Sequence, residues 1–212
     1  MDKKIHFLFP QPIIKTKFPT PFTAEQMDIV YNTPIGKSVG NRSSVSRRIL
    51  DEPQFAELKK FAQDALDMWV DEIYCPRDKE SVKLELTQSW LNYTKPGGFH
   101  HSHYHPNSIV SGVFYMVADN EMDEIQFQQD TPQVWHIDND RSNEFNSNQY
   151  HVPVKTGDVV LFPSQMYHGV PELKGQLQRI SLAFNSFWKG RLGFNDDKTN
   201  YLEVHKIGRA HV

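Results

Sequence analysis

The chain has 212 residues, of which 38% are hydrophobic and 12% aromatic, so it can bury one sizeable core and we expect one domain, 1–212. Its 23 basic and 26 acidic residues give a net charge of −3, which offers no general attraction to nucleic acid or to an anionic membrane. No stretch is apolar for long enough to predict a membrane span. The single cysteine, Cys75, excludes an intramolecular disulfide framework and favours an intracellular, cytoplasmic protein; we expect Cys75 to be a small buried residue.

The N-terminal part, residues 1–80, is predicted to contain a strand, an irregular arm and a helix. The apolar run from Ile5 to Ile14 is interrupted by prolines and predicts an edge strand. Thr16 to Ser46 is polar and contains Pro, Gly and Ser, which is typical of an irregular arm. From Pro53 to Ile73 apolar residues recur at spacings of three and four, so we expect a helix that packs on the outside of a sheet.

Residues 81–190 change to short strand-like runs separated by turn formers, and we expect them to form the β core. The predicted strands are Ser81 to Tyr93, Ile109 to Val117, Glu124 to Gln128, Val134 to Ile137, Gln149 to Pro153, Asp158 to Pro163 and Arg179 to Phe187. Many short strands at this spacing predict a mainly β fold of jelly-roll type, in which two sheets face each other and leave a pocket between them.

Five histidines are candidates for a metal site. His100, His101, His103 and His105 lie between two strand-like runs, and His168 follows another. Residues at i and i+2 of a strand share a face, so His103 and His105 could grip one cation, with His168 as the third donor. Imidazole suits Fe, Zn, Cu and Ni, and this arrangement leaves coordination positions open. His101 with His103 is an equally good pair by spacing, in which case the others would line the pocket mouth.

The segments HYHPNSIVSGVFY, LFPSQMYHGV and RISLAFN, in this order, resemble the 2-oxoglutarate- and Fe(II)-dependent oxygenases of the type H-x-H-P, S-G-x-x-Y, F-P-S, H and R-x-S. The resemblance implies a double-stranded β-helix and a hydroxylase or dioxygenase that uses Fe(II), 2-oxoglutarate and O2. It implies that His103, His105 and His168 are the catalytic, metal-binding residues. It also implies that Arg179 binds the far carboxylate of 2-oxoglutarate, with Ser181 as its companion.

The chemistry of these co-substrate residues agrees with the resemblance. An arginine can hold a carboxylate through two parallel charge-assisted hydrogen bonds. Ser181, two residues after Arg179, shares its face of the strand and can add a third bond. Tyr93, on the strand before the histidines, is either a further donor to 2-oxoglutarate or an aromatic of the core.

One position departs from the family pattern. His105 stands where most members have Asp or Glu, which would complete two histidines and one carboxylate around Fe(II). Either the site has three histidines, or an acid from another strand, such as Glu124 or Asp130, completes it. A neutral third ligand would change the redox properties of the metal and could change its identity.

A cupin is the alternative: a metal-binding protein, or a dioxygenase that does not use 2-oxoglutarate. The spacings from Gly97 to His103 and from Gly157 to His168 match the starts of the two cupin motifs. However, no Glu follows the histidine pair at the expected distance, and a cupin has no need of Arg179. A jelly roll without enzymatic activity is a third hypothesis, but it leaves the inward histidines unexplained.

The sequence favours no class of primary substrate. The basic cluster RSSVSRR, Arg42 to Arg48, is more typical of a solvated face than of a phosphate or nucleic-acid contact.

Overall fold

The structure is a computed structural model, and it describes residues 1–6, 8–129, 137–143, 145–193 and 202–205. The elements in chain order are β1 (Ile14–Lys17), α1 (Ala24–Asn32), β2 (Ile35–Lys37), β3 (Arg42–Ser44), α2 (Ala56–Trp69), β4 (Val82–Thr94), β5 (His100–His103), β6 (Val110–Val117), β7 (Glu124–Gln128), β8 (Gln149–Pro153), β9 (Asp158–Pro163), β10 (Tyr167–Val170), β11 (Arg179–Leu192) and β12 (Leu202–Val204). None of the described helices is long and apolar enough to cross a membrane.

Two antiparallel sheets form the body of the protein. The larger has the order β1-β9-β6-β11-β4-β3-β2, with β12 paired to β11, and the smaller has the order β5-β10-β7-β8. An inner core lies between them, in which Ile125 and Phe127 of the smaller sheet pack with Tyr115 and Phe162 of the larger. The mainly β fold with facing sheets confirms the predicted double-stranded β-helix.

A second core covers the outer face of the larger sheet. On β11, Ile180 and Leu182 belong to this outer core, whereas Ala183 belongs to the inner one, as the twofold alternation of a strand requires. Helix α2 contributes its apolar stripe, including Leu66 and Trp69, to the outer core. The predicted flanking helix is therefore confirmed, although two 3-10 turns, Ile49–Asp51 and Pro53–Phe55, precede it and a π-helical turn, Val70–Tyr74, ends it.

The N-terminal predictions need two corrections. Regular pairing begins only at Ile14, because the run from Ile5 contains two prolines and has no paired strand before that residue among the described positions. The arm from Thr16 to Ser46 contains α1, β2 and β3. Helix α1 starts at a capping box, in which the Thr23 amide donates to Gln26 Oε1 at 2.9 Å and the Gln26 amide donates to Thr23 Oγ1 at 3.2 Å.

The prediction that Cys75 is buried is wrong, and one predicted strand lies mostly outside the described residues. Cys75 is exposed, because it follows the π-helical turn in a left-handed conformation, φ 47°, that ends the helix at the surface. The predicted strand Val134 to Ile137 falls, up to residue 136, outside the described residues.

Candidate metal and co-substrate site

His103, His105 and His168, which we call the histidine triad, converge at one end of the inner core. His103 ends β5 and is the register partner of His168 on the neighbouring β10. The amide of His105 donates to the Ser164 carbonyl at 2.8 Å, which fixes the turn after β5. One possible ligand atom from each imidazole lies within 4.8 Å of the other two. The exposed His101 is not part of this cluster.

Backbone carbonyls set the tautomer of two triad members. His103 Nδ1 lies 2.8 Å from the His101 carbonyl oxygen, and His168 Nδ1 lies 2.9 Å from that of Met166. Because a carbonyl oxygen only accepts, both Nδ1 atoms carry the proton, and each Nε2 keeps a lone pair for a metal.

His105 takes its tautomer from side chains. Its Nδ1 lies 2.8 Å from Asn185 Oδ1 and 2.7 Å from the hydroxyl of Ser111, which itself donates to Asn185 Oδ1 at 2.8 Å. The His105 Nε2 then faces the His103 Nε2 at 3.2 Å. Two lone pairs cannot form a hydrogen bond, so this contact is repulsive unless a cation lies between them. The donor set therefore fits a divalent metal ion.

Burial keeps the triad neutral. Desolvation, and then the His103 imidazole, lower the pKa of His105 to about 4. Desolvation is also the first cause that lowers the pKa of His103, and it lowers that of His168 well below the ordinary value. Protons do not compete with a metal for these imidazoles at neutral pH.

The acids that could replace His105 as third ligand do not join the cluster among the described residues. The Glu124 carboxylate contacts His151 Nδ1 at 2.6 Å on the exposed side of the smaller sheet. Asp130 lies outside the described residues. The described part of the chain thus assembles three histidines and no carboxylate at this point.

Arg179 and Ser181 line the same inner face. Arg179, the first residue of β11, is only 3% exposed, and its Nη1 donates to the Glu124 carbonyl at 2.6 Å. Its guanidinium carbon lies 4.9 Å from the ring centroid of Tyr115. No described carboxylate forms an ion pair with it. Ser181 is buried and is the register partner of Tyr115 across β6, so a cation and a hydroxyl remain available for an anion.

Tyr115 is a site residue that the sequence reasoning missed. Its hydroxyl is completely buried, and no described group makes a hydrogen bond of good geometry with it. Desolvation raises the pKa of Tyr115 to about 12, while the nearby Arg179 guanidinium acts in the opposite direction. The motif S-G-x-x-Y could have indicated this residue, because its tyrosine is Tyr115, which lies on the same face of the sheet as Ser181.

Tyr93 does not reach the site, and the prediction that it contacts the co-substrate is wrong. Its hydroxyl donates to the Val30 carbonyl at 2.6 Å, within the outer core. Along β4 the side chains alternate, so Asn92 faces inward beside Ser181 while Tyr93 faces the helices.

Comparisons with known proteins agree with this site. Residues 88–185 match the family described as "Putative 2OG-Fe(II) oxygenase". No curated protein matches the chain.

Solved structures show the same fold. An oxidoreductase of the 2OG-Fe(II) oxygenase family from Burkholderia pseudomallei is 14% identical, with TM-score 0.54 over 81% of this chain and 83% of its own. A prolyl-4-hydroxylase from Pseudomonas putida is 14% identical, with TM-score 0.54 over 83% and 92%. HygX from Streptomyces hygroscopicus, solved with nickel, 2-oxoglutarate and hygromycin B bound, is 14% identical, with TM-score 0.54 over 83% and 82%.

The matched region contains the histidine triad, Arg179, Ser181 and Tyr115. This match favours an oxygenase over the alternative hypothesis, a cupin that does not use 2-oxoglutarate. Over residues 88–185 the chain is similar to the 2-oxoglutarate- and Fe(II)-dependent oxygenases, a family that uses Fe(II), 2-oxoglutarate and O2.

Proposed function

We propose that the histidine triad holds Fe(II) through its three Nε2 atoms, and that Arg179, Ser181 and Tyr115 hold the distal carboxylate of 2-oxoglutarate. The observation that carries this proposal is the convergence of three neutral imidazoles on the inner face that also presents a buried arginine, which forms no ion pair with any described carboxylate. A dianionic co-substrate supplies the negative charge that would balance both the metal ion and the Arg179 guanidinium.

When bound, Fe(II) with O2 and 2-oxoglutarate supplies the oxidation of a C–H bond to an alcohol, with release of succinate and CO2. The protein holds and orients the reactants. Asn185 and Ser111 fix the His105 ring, and the Ser181 and Tyr115 hydroxyls complete the carboxylate site. The aromatic side chains of the inner core exclude water from the triad, which strengthens every charged contact there.

The test is an anaerobic titration of the Fe(II)-loaded protein with 2-oxoglutarate, which follows the metal-to-ligand charge-transfer band. Arg179→Ala should retain iron and lose ~2–5 kcal/mol of co-substrate binding, or roughly thirty-fold or more in affinity. The affinity of Arg179→Lys for 2-oxoglutarate should fall between those of the parent and of Arg179→Ala, since lysine keeps the charge and loses the two parallel hydrogen bonds. A parent protein that binds iron yet gives no band at millimolar 2-oxoglutarate would overturn the proposal.

We also propose one domain, 1–212, in an intracellular, cytoplasmic protein. The larger sheet supports a single domain, because it includes β1 near the start of the chain and β12 near its end. The single, exposed cysteine supports a reducing compartment. Limited proteolysis that released a stable fragment 81–190 would contradict the single domain.

A further inference from the structure

A polar row crosses the inner face of the larger sheet from the co-substrate residues to β3, the strand next to the edge strand β2. Ser43, Asn92 and Ser181 are successive register partners across β3, β4 and β11. Two strand spacings, roughly 10 Å, separate the first from the last. Ser43 and Asn92 are each 9% exposed, so this row is buried but not closed to a ligand.

Arg47 brings a cation to the outer end of this row. Its Nη2 donates to Ser43 Oγ at 3.4 Å, and its carbonyl accepts from the Ser89 amide at 2.9 Å. The next residue, Trp90, packs its ring 5.4 Å from that of His105. The Arg47 side chain is exposed, and no described carboxylate forms an ion pair with it. Arg47 thus bonds through its backbone to the residue before the triad's aromatic neighbour, and its guanidinium reaches Ser43.

Two segments that meet where the Phe99 amide donates to the Gly40 carbonyl at 3.2 Å both lack acidic residues. Residues 34–50, which include β2 and β3, contain four basic side chains and no Asp or Glu. Residues 94–109, which include the opposing edge strand β5, also contain no Asp or Glu. The chain as a whole has a net charge of −3, so the absence of acids in these two segments is a local feature that favours anions beside Arg47.

Asn92 is a further binding group on the row. Its side chain is 9% exposed, and its carboxamide is not among the described side-chain groups that are fully buried without a partner, so it can still be reached. A carboxamide that can be reached at this depth can both donate to and accept from a bound ligand.

We infer that the primary substrate is anionic and that its carboxylate or phosphate binds Arg47, while a neighbouring polar group binds Asn92. This inference rests on the proposed oxygenase site and names the substrate class for it. Arg48 offers a matched contrast, because its Nη1 lies 3.3 Å from an Asp51 carboxylate oxygen and its charge is already paired.

The experiment uses hexanoate, hexyl phosphate and hexanol as probes of matched chain length. Each is titrated anaerobically into the Fe(II)-loaded protein with saturating 2-oxoglutarate, and the shift of the charge-transfer band is followed. The anions should shift the band at concentrations at least about ten-fold lower than hexanol, and added salt should weaken them. Arg47→Ala should remove this preference and Arg48→Ala should retain it. Whichever of hexanoate and hexyl phosphate binds more tightly identifies the anionic group of the substrate as a carboxylate or a phosphate.

Three results would overturn the inference: equal responses to hexanol and the anions, equal responses of the two variants, or no shift with any probe. Loss of the band, in contrast to a shift, would place the anion in the 2-oxoglutarate site and would also count against Arg47. If the parent gives no band at all, the co-substrate proposal fails on its own. The same titrations are then followed through the indole N–H resonance of Trp90, which still reports an anion at Arg47.

Discussion

Replacing Tyr115 with phenylalanine should stabilise the ligand-free protein and weaken its binding of 2-oxoglutarate. The hydroxyl is completely buried and makes no hydrogen bond of good geometry with a described group, which costs on the order of 1–3 kcal/mol. Phenylalanine removes that cost and keeps an aromatic ring beside the Arg179 guanidinium, whose carbon lies 4.9 Å from the centroid of the Tyr115 ring. We expect the free energy of unfolding to rise by about 1 kcal/mol, and Tm therefore by roughly 2–4 °C in a chain of this size.

Binding should change in the opposite direction. A hydrogen bond from a hydroxyl to a carboxylate contributes about 1.5–3 kcal/mol, so the Kd for 2-oxoglutarate should rise roughly ten- to hundred-fold. Thermal unfolding of the metal-free protein and the anaerobic titration measure the two effects separately.

Tyr93→Phe is the matched control for Tyr115→Phe. It removes a hydroxyl that is bonded to the Val30 carbonyl, so it should lower Tm and leave the Kd unchanged. A Tyr115→Phe protein with a lower Tm and unchanged affinity would refute the reasoning.

Three further predictions concern the triad. His103→Ala and His168→Ala should each abolish tight Fe(II) binding, measured as iron per chain after anaerobic desalting, whereas His101→Ala should retain it; unchanged iron in the first two would exclude the proposed ligands. His105→Asp should retain iron and His105→Ala should lose it; full iron in the alanine variant would place the third ligand elsewhere. Burial lowers the triad's pKa values, so below pH 6.5 the unfolded chain binds more protons than the folded one. The Tm of the metal-free protein should fall from about pH 6.5 through pH 4, less steeply in His168→Gln; identical slopes would contradict the pKa shifts.

The sequence was most informative where one face of a strand differs from the other. Strands β7, β8 and β9 have their predicted bounds, because turn formers flank short apolar or alternating runs. Alternation could not place Tyr93, since Asn92 and Tyr93 are both buried and β4 is covered on both faces. Only the tertiary structure shows which face contains Arg179.

Contacts between distant segments were beyond the sequence reasoning. Asn185 lies 80 positions after His105, and no local pattern connects an amide acceptor to that imidazole. Helix α1 was missed for a different reason: its sequence has little apolar periodicity, and its one clear signal is the reciprocal cap between Thr23 and Gln26.

The contact between Arg179 and Glu124 has a consequence for how the two sheets are joined. Arg179 begins β11 of the larger sheet, and its guanidinium reaches the backbone of β7 in the smaller one. The Glu124 side chain continues to His151 on β8, at the far edge of that sheet. One continuous series of polar contacts thus crosses from the pocket to the outer surface. Binding of 2-oxoglutarate at Arg179 should therefore slow amide hydrogen exchange in β7 and in β8, the strand at the end of this series.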